Sequence, residues 1–168
     1  MTDPVHLVFM GVSGSGKSTV ARAVQHKLGW ELAEGDDFHP PENVAKMSEG
    51  TPLTDADRWG WLESLADWTG ERDASGTPTI ITCSALRRTY RDVLRRGGGA
   101  TFFVHCTGDK HLILDRMNAR EHFMPPSLLE SQLDTLEPLQ PDEPGMDVDP
   151  AEPVDRIVAD VLARLGLG

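Results

Sequence analysis

Eight residues constrain this chain more than any others: Gly11-Val12-Ser13-Gly14-Ser15-Gly16-Lys17-Ser18, set between an apolar run, Val5–Met10, and an amphipathic stretch, Lys17–Leu28. The spacing Gly-x4-Gly-Lys-Ser, with a strand before it and a helix after it, is that of a loop that wraps phosphate. Glycines let the backbone turn so that successive N–H groups converge, and the helix N-terminus adds partial positive charge where they point. Lys17 is long enough to reach the outer phosphates of a nucleoside triphosphate, and the Ser18 hydroxyl suits Mg2+. Gly11, Ser13, Gly14, Ser15 and Gly16, with Thr19 in the first helical turn, complete the expected nucleotide-binding set. The competing reading is a Gly-rich turn with an incidental Lys-Ser; the strand and helix on either side disfavour it.

The rest of the chain repeats the strand-then-helix rhythm. Apolar runs recur at Trp30–Ala33, Thr79–Cys83, Thr101–Cys106 and Met146–Val148. Helical spacing predicts helices at Lys17–Leu28, Glu42–Ser48, Ala56–Thr69, Arg87–Arg95, Lys110–Ala119, Ser127–Leu136 and Val154–Leu165. This alternation, with near-continuous apolar strands, implies an α/β fold whose parallel sheet is covered by helices on both faces. Ligands of such sheets gather at the carboxyl ends of the strands. At 168 residues the chain has the size of one domain. Loops are expected at Glu34–Pro41, Gly50–Asp55, Glu121–Pro126 and Pro138–Gly145, and the residues able to do chemistry fall mainly in or beside the first three.

Sixteen Lys and Arg stand against twenty-seven Asp and Glu, a net charge of −11. Such a field repels nucleic acid and acidic membranes, so neither is an expected partner, and an anionic substrate must be caught by a local group of bases. Val5–Met10 is too short for a membrane span or a signal core, and a cytoplasmic location is expected. Cys83 and Cys106 each close an apolar run, where a buried reduced thiol is the usual occupant and metal ligation is not expected.

A phosphate loop serves kinases, motors and switches alike. Motors usually carry an acid at the end of a neighbouring strand, yet Thr79–Cys83 runs into Ser84-Ala85; an Asn-Lys-x-Asp run for guanine is also missing. A nucleotide-dependent switch is therefore the runner-up. A small-molecule kinase needs a base for the acceptor hydroxyl, cations for the moving phosphate and a loop that closes over them. Asp36 and Asp37, in a loop expected across the cleft from the phosphate loop, either serve the acceptor hydroxyl or cap a turn before Pro40-Pro41. Arg116 and Arg120, four residues apart, share a helix face at the mouth of Glu121–Pro126. They either meet adenine and phosphate or lie solvated.

With these residues in place, the chain resembles the gluconate kinases (gluconokinases), relatives of shikimate and adenylate kinases with a P-loop kinase fold. The likeness spans nearly the whole chain. Its specific pieces are Gly11–Ser18, Gly35–Pro40, Asn43–Arg58 running into Trp61-Leu62, Cys83–Asp92, and His122-Phe123-Met124-Pro125 followed by Ser131-Gln132-Leu133. The resemblance implies a five-stranded parallel sheet, ATP with Mg2+, conversion of D-gluconate to 6-phosphogluconate and a homodimer. It implies one domain, with a substrate segment over residues 36–70 and a lid over residues 120–127. Carried onto matching positions, Asp36 is the base, Lys17 and Ser18 hold phosphate and Mg2+, Arg120 is a lid-side phosphate contact and Arg116 packs on adenine.

Chemistry and resemblance converge on Arg58, since a sugar acid brings a carboxylate that a guanidinium grips through two parallel hydrogen bonds. The alternative is that Arg58 pairs with Asp55 and Asp57. His39, Lys46, Ser84, Arg87 and Arg91 are further candidates for the acceptor pocket; His39 could instead be structural, and Lys46 and Arg91 solvated helix positions. Tyr90, Trp59, Trp61 and Trp68 are assigned to packing, and His105 to structure. The chain departs from the family pattern at Glu34, where Asp commonly stands, at Gly60, a frequent Pro site, and in Arg120-Glu121-His122-Phe123, one residue shorter than usual. These departures predict a rearranged carboxylate contact to Mg2+, a looser helix start and a shifted Arg120.

Overall fold

The computed structural model describes residues 4–12, 15–98, 100–108 and 132–167. Strands β1 (His6–Met10), β2 (Glu31–Glu34), β3 (Thr79–Thr82), β4 (Thr101–Cys106) and β5 (Gly145–Val148) alternate with helices. These are α1 (Lys17–Leu28), α2 (Pro41–Ser48), α3 (Asp55–Ala74), α4 (Arg88–Arg95) and α5 (Val154–Leu165), and residues 132–135 are also helical. The predicted helix Lys110–Ala119 and most of Ser127–Leu136 lie outside the described residues.

The strands pair in parallel in the order β2-β3-β1-β4-β5, giving the expected five-stranded α/β sheet. Side chains of a strand point alternately to opposite faces, and here both faces are buried. Val8, Met10, Ile81, Cys83 and Phe103 pack with Trp61, Leu62 and Leu65 of α3 and Tyr90, Val93 and Leu94 of α4. Leu7, Phe9, Ile80, Val104 and Cys106 face the other way, onto Val20 and Val24 of α1 and Ile157 and Val161 of α5. The continuous apolar runs in the sequence thus supply two cores at once.

Two boundaries differ from expectation. Glu34–Pro41 is not wholly loop: Glu34 ends β2 and Gly35–Phe38 forms a 3-10 turn. Helix α3 runs past Thr69 and Gly70 to Ala74, because its last turn is held from outside. The Arg72 guanidinium lies 4.0 Å from the Trp68 ring centroid and pairs with Glu31 at 3.0 Å, while Asp73 meets buried His6 at 2.8 Å. The start of α3 is not loosened at Gly60. Thr54 accepts from the Asp57 N–H and Asp57 accepts from the Thr54 N–H, a closed capping box. Among the described residues no helix is long and apolar enough to cross a membrane.

The chain places β2 and β3 on one side of β1, then crosses to the other side for β4 and β5. The segments leaving β1, β2 and β3 therefore emerge together at one carboxyl edge, where ligands of open α/β sheets bind.

Candidate active site

At that edge the chain leaves β1 through Gly11, whose φ of +147° suits glycine and whose N–H donates to the Ser84 carbonyl at 3.2 Å. A Cβ on Gly11 would lie 2.7 Å from both the Cys106 carbonyl oxygen and Ser15 Oγ, so the turn has room for backbone alone. Ser15 N–H donates to the Val12 carbonyl at 3.2 Å, and its Oγ is buried without a hydrogen-bond partner among the described residues. Gly16, in the left-handed region, starts α1, and Lys17, Ser18 and Thr19 form the first turn with no acid among them. The open N–H groups of this turn carry partial positive charge toward the cleft. Ser13 and Gly14, at the loop's centre, lie outside the described residues, as do Arg116, Arg120, His122 and the expected lid.

Ser18 is tied to the second strand. Its hydroxyl donates to Glu34 Oε2 at 3.0 Å, the Thr82 hydroxyl donates to the same oxygen at 2.5 Å, and Arg22 Nη2 lies 3.1 Å from Oε1. Glu34, longer by one methylene than Asp, thus makes direct contact with the hydroxyl expected to hold Mg2+. A hydroxyl beside a carboxylate is an oxygen-donor pair, and Mg2+ binds one or two such protein oxygens together with phosphates and water. These residues fit the ion.

Across from the cradle sits the 3-10 turn. Gly35 packs so closely on β3 that a Cβ would lie 2.2 Å from the Thr82 carbonyl oxygen. Its N–H donates to Thr82 Oγ1 at 3.3 Å, and its carbonyl accepts from Trp61 Nε1 at 2.7 Å. The turn is clamped from both sides, and it presents a half-buried Asp36 beside an exposed Asp37. Cys83, just past β3, is buried. Burial pushes its thiol up to about 12, the Asp36 charge adding to this and the Lys17 charge opposing it. The thiol therefore stays protonated and inert.

His39 closes the turn, its ring stacked on Trp61 with centroids 3.9 Å apart and Nε2 4.0 Å from Asp36 Oδ1. Burial holds its pKa at about 4, against the pull of Asp36 and with the push of Arg58, so the ring is neutral near pH 7. Arg58 Nη1 donates to the Tyr90 hydroxyl at 2.9 Å, and that hydroxyl donates to Asp55 Oδ1. Burial and the bond to Asp55 keep the phenol protonated. Arg58 also lies 3.7 Å from Asp55, and Arg87 approaches the same carboxylate at 3.8 Å.

A family model described as an AAA domain matches residues 7–139. The gluconokinase of Gluconobacter oxydans is 48% identical over 160 residues, covering 95% of this chain and 90% of its own. The thermoresistant gluconokinase of Escherichia coli is 40% identical over 168 residues, covering 96% and 93%. The chain belongs to the gluconokinase family. Among solved structures, a gluconokinase from Sinorhizobium meliloti superposes on this family member with a TM-score of 0.85 at 48% identity, covering 99% of this chain and 94% of that one. Shikimate kinase of Aquifex aeolicus, at 16% identity and a TM-score of 0.59 over 96% of each chain, shares the fold alone.

Of the residues predicted for the gluconokinase acceptor pocket, Asp36, His39 and Arg58 gather on the 3-10 turn and α3, with Arg87 joined to Arg58 through Asp55. Ser84 is half-buried beside Gly11. Two others are engaged elsewhere. Arg91 is fully buried and its guanidinium is taken up: it meets Glu143 at 2.7 and 2.9 Å and the carbonyls of Ala85, Glu137 and Pro138 at 2.9, 3.0 and 3.3 Å. It is a strut and not a pocket residue. Ala85, the residue it holds, is the one described non-glycine with positive φ, 45°, directly after Ser84. Lys46 keeps a partly solvent-exposed side chain but is paired, its Nζ lying 3.0 and 2.8 Å from the two Asp57 oxygens. Sequence reasoning missed Tyr90 and Trp61 as supports and did not weigh Asn43 at all. Their partners lie on other elements, and only the Asn43–Arg58 family run hinted at them.

Proposed function

We propose that this chain transfers the γ-phosphoryl group of ATP to the terminal hydroxyl of D-gluconate, giving ADP and 6-phospho-D-gluconate. The observation that carries this reading is the 3.0 Å bond from Ser18, on the phosphate cradle, to Glu34, which sets that cradle beside the clamped turn bearing Asp36. It is supported by gluconokinase relatives aligned over nearly their full length.

In this mechanism the cradle amides and Lys17 hold the triphosphate, and Arg120 joins them from the lid side while Arg116 packs on adenine. Asp36 accepts the hydroxyl proton as the new O–P bond forms and the bond to the β-phosphate oxygen breaks. Arg58, aimed by Tyr90, grips the sugar carboxylate, with Arg87, Ser84 and His39 lining the same pocket. Ser18, backed by Glu34, would hold Mg2+, which when bound offsets phosphate charge. Holding both reactants in line supplies most of the acceleration, since no covalent enzyme intermediate is needed.

The test is ADP release with a panel of acceptors: D-gluconate, other sugar acids, shikimate and nucleoside monophosphates. Gluconate-dependent ADP release matched by 6-phosphogluconate is expected. Nucleotide binding with no transfer to any acceptor would favour a switch instead. The same reading includes a homodimer, which sedimentation analysis checks.

A further inference from the structure

Asn43 is buried in the first turn of α2, 3% exposed, and its side-chain amide bridges two groups. Nδ2 lies 2.8 Å from the Asp57 carbonyl oxygen and 3.2 Å from His39 Nδ1. The first contact fixes the amide's orientation, because a carbonyl oxygen accepts and never donates; the atom facing it must be the NH2 nitrogen. That nitrogen has two hydrogens, and the second points at His39 Nδ1. A donor facing Nδ1 requires that Nδ1 be bare, so the single proton of the neutral ring resides on Nε2. Nε2 is the nitrogen that lies 4.0 Å from Asp36 Oδ1, too far for a direct hydrogen bond; the ring is 3% exposed and the Asp36 side chain 38%, so a hydroxyl lodged on that carboxylate would have Nε2 as its neighbour. The ring cannot swing away, because it is stacked on Trp61, whose own N–H is bonded to Gly35. The charged groups that face it are Asp36, from the turn, and Arg58, from α3.

We infer that Asn43 is a positioning residue for phosphoryl acceptance: by fixing His39 as the Nε2–H tautomer, it places a hydrogen-bond donor beside the Asp36 acceptor. Two neighbouring hydroxyls of a polyol match this pair, one giving its hydrogen to Asp36 and the next offering a lone pair to His39. An acceptor with a lone hydroxyl leaves the imidazole N–H unmet, which disfavours it. The inference rests on the proposed activity and assigns the part of the site that selects a polyol.

Three variants and one spectrum test it. In protein labelled with 15N-histidine, long-range 1H–15N correlations of wild type are expected to show His39 with a bare Nδ1 and a protonated Nε2 at neutral pH; H39Q identifies the signals by their loss. N43L removes the donor and should let both tautomers appear, while N43D should put a proton on Nδ1. N43L should lower kcat for gluconate by about ten- to a hundred-fold, the scale for losing the partner that fixes a working histidine, with KM for ATP unchanged. In an H39Q background, where the glutamine amide can still donate near the Nε2 position, N43L should cost no more than about two-fold.

A wild-type spectrum with Nδ1 protonated would overturn the inference without any variant having to fold. So would an equal loss from N43L in both backgrounds, which marks a role in folding alone. Failure of the underlying activity looks different: wild type itself would then turn over no gluconate, whereas failure of this inference leaves wild-type turnover intact.

Discussion

One guanidinium nitrogen of Arg58 donates to a single phenol oxygen, that of Tyr90. Tyr90→Phe deletes that oxygen, keeps the ring under the guanidinium and leaves Asp55 to pull Arg58 alone. A hydrogen bond to a charged group contributes about 1.5–3 kcal/mol, so KM for gluconate should rise about ten-fold or more with KM for ATP unmoved; unaltered gluconate kinetics would remove Tyr90 from this task. Asp36→Asn keeps the shape of the turn and removes the proton acceptor. Turnover should fall by about two to four decades while ATP binding persists, and steady-state rates beside nucleotide titration check both halves. At this scale the sequence singles out side chains whose chemistry is their own, such as Lys17, Ser18, Asp36 and Arg58, and these are the residues on which the proposed mechanism is built. It was silent on Asn43 and Tyr90, whose roles arise from partners 14 and 35 residues away along the chain. Arg91 shows the converse: a guanidinium near a motif suggests an anion, but its carboxylate proves to be Glu143, on a stretch expected only as a loop.

That stretch, Pro138–Gly145, becomes an element in its own right by being tied to α4. Arg88 grips Asp142 through two bonds of 2.7 Å, Arg91 and Arg95 both reach Glu143, and the Gln140 N–H donates to Glu143 Oε2 at 2.8 Å. The three basic residues lie on one face of α4 by helical spacing, and the acids meet them in order. Arg91 and Glu143 are both buried, so truncating one strands the other. Glu143→Ala should lower unfolding stability by about 3–5 kcal/mol, read from urea denaturation, whereas Asp142→Ala, breaking an exposed pair, should cost under about 1 kcal/mol. Equal effects would mean that burial is not what makes the first pair matter. Strand and helix order was legible because both sheet faces demand apolar runs; helix ends were less so. The last turn of α3 survives Gly70 through Trp68, Glu31 and His6, contacts that local periodicity cannot report.

For the molecule as a whole, His39 and Glu143 are two of the described groups that shape the response to acid. His39 titrates near 6.5 when unfolded and at about 4 when folded. Between those values the unfolded chain binds a proton that the folded chain refuses, so stability drains away as pH falls from 6.5 to about 4. Glu143, despite a burial that opposes ionisation, is held at about 2 by hydrogen bonds from Arg91, the Gln140 N–H and Arg95, against an ordinary 4.5. Its contribution is full above 4.5 and is lost as pH falls toward 2. Thermal melts from pH 7 to 3 should therefore decline in two limbs, with His39→Gln making the upper one shallower while His105, whose pKa burial also lowers, keeps a share of it; the same slope in both proteins between pH 6.5 and 4 would contradict this. Sheet order was beyond sequence reasoning, since nothing local says that β3 inserts between β1 and β2. That insertion brings Gly35 against the Thr82 carbonyl with no space for a side chain. The perch of Asp36 is consequently gauged by two main chains in contact, so even one methyl group added at residue 35 would pry the turn off the sheet and carry that carboxylate with it.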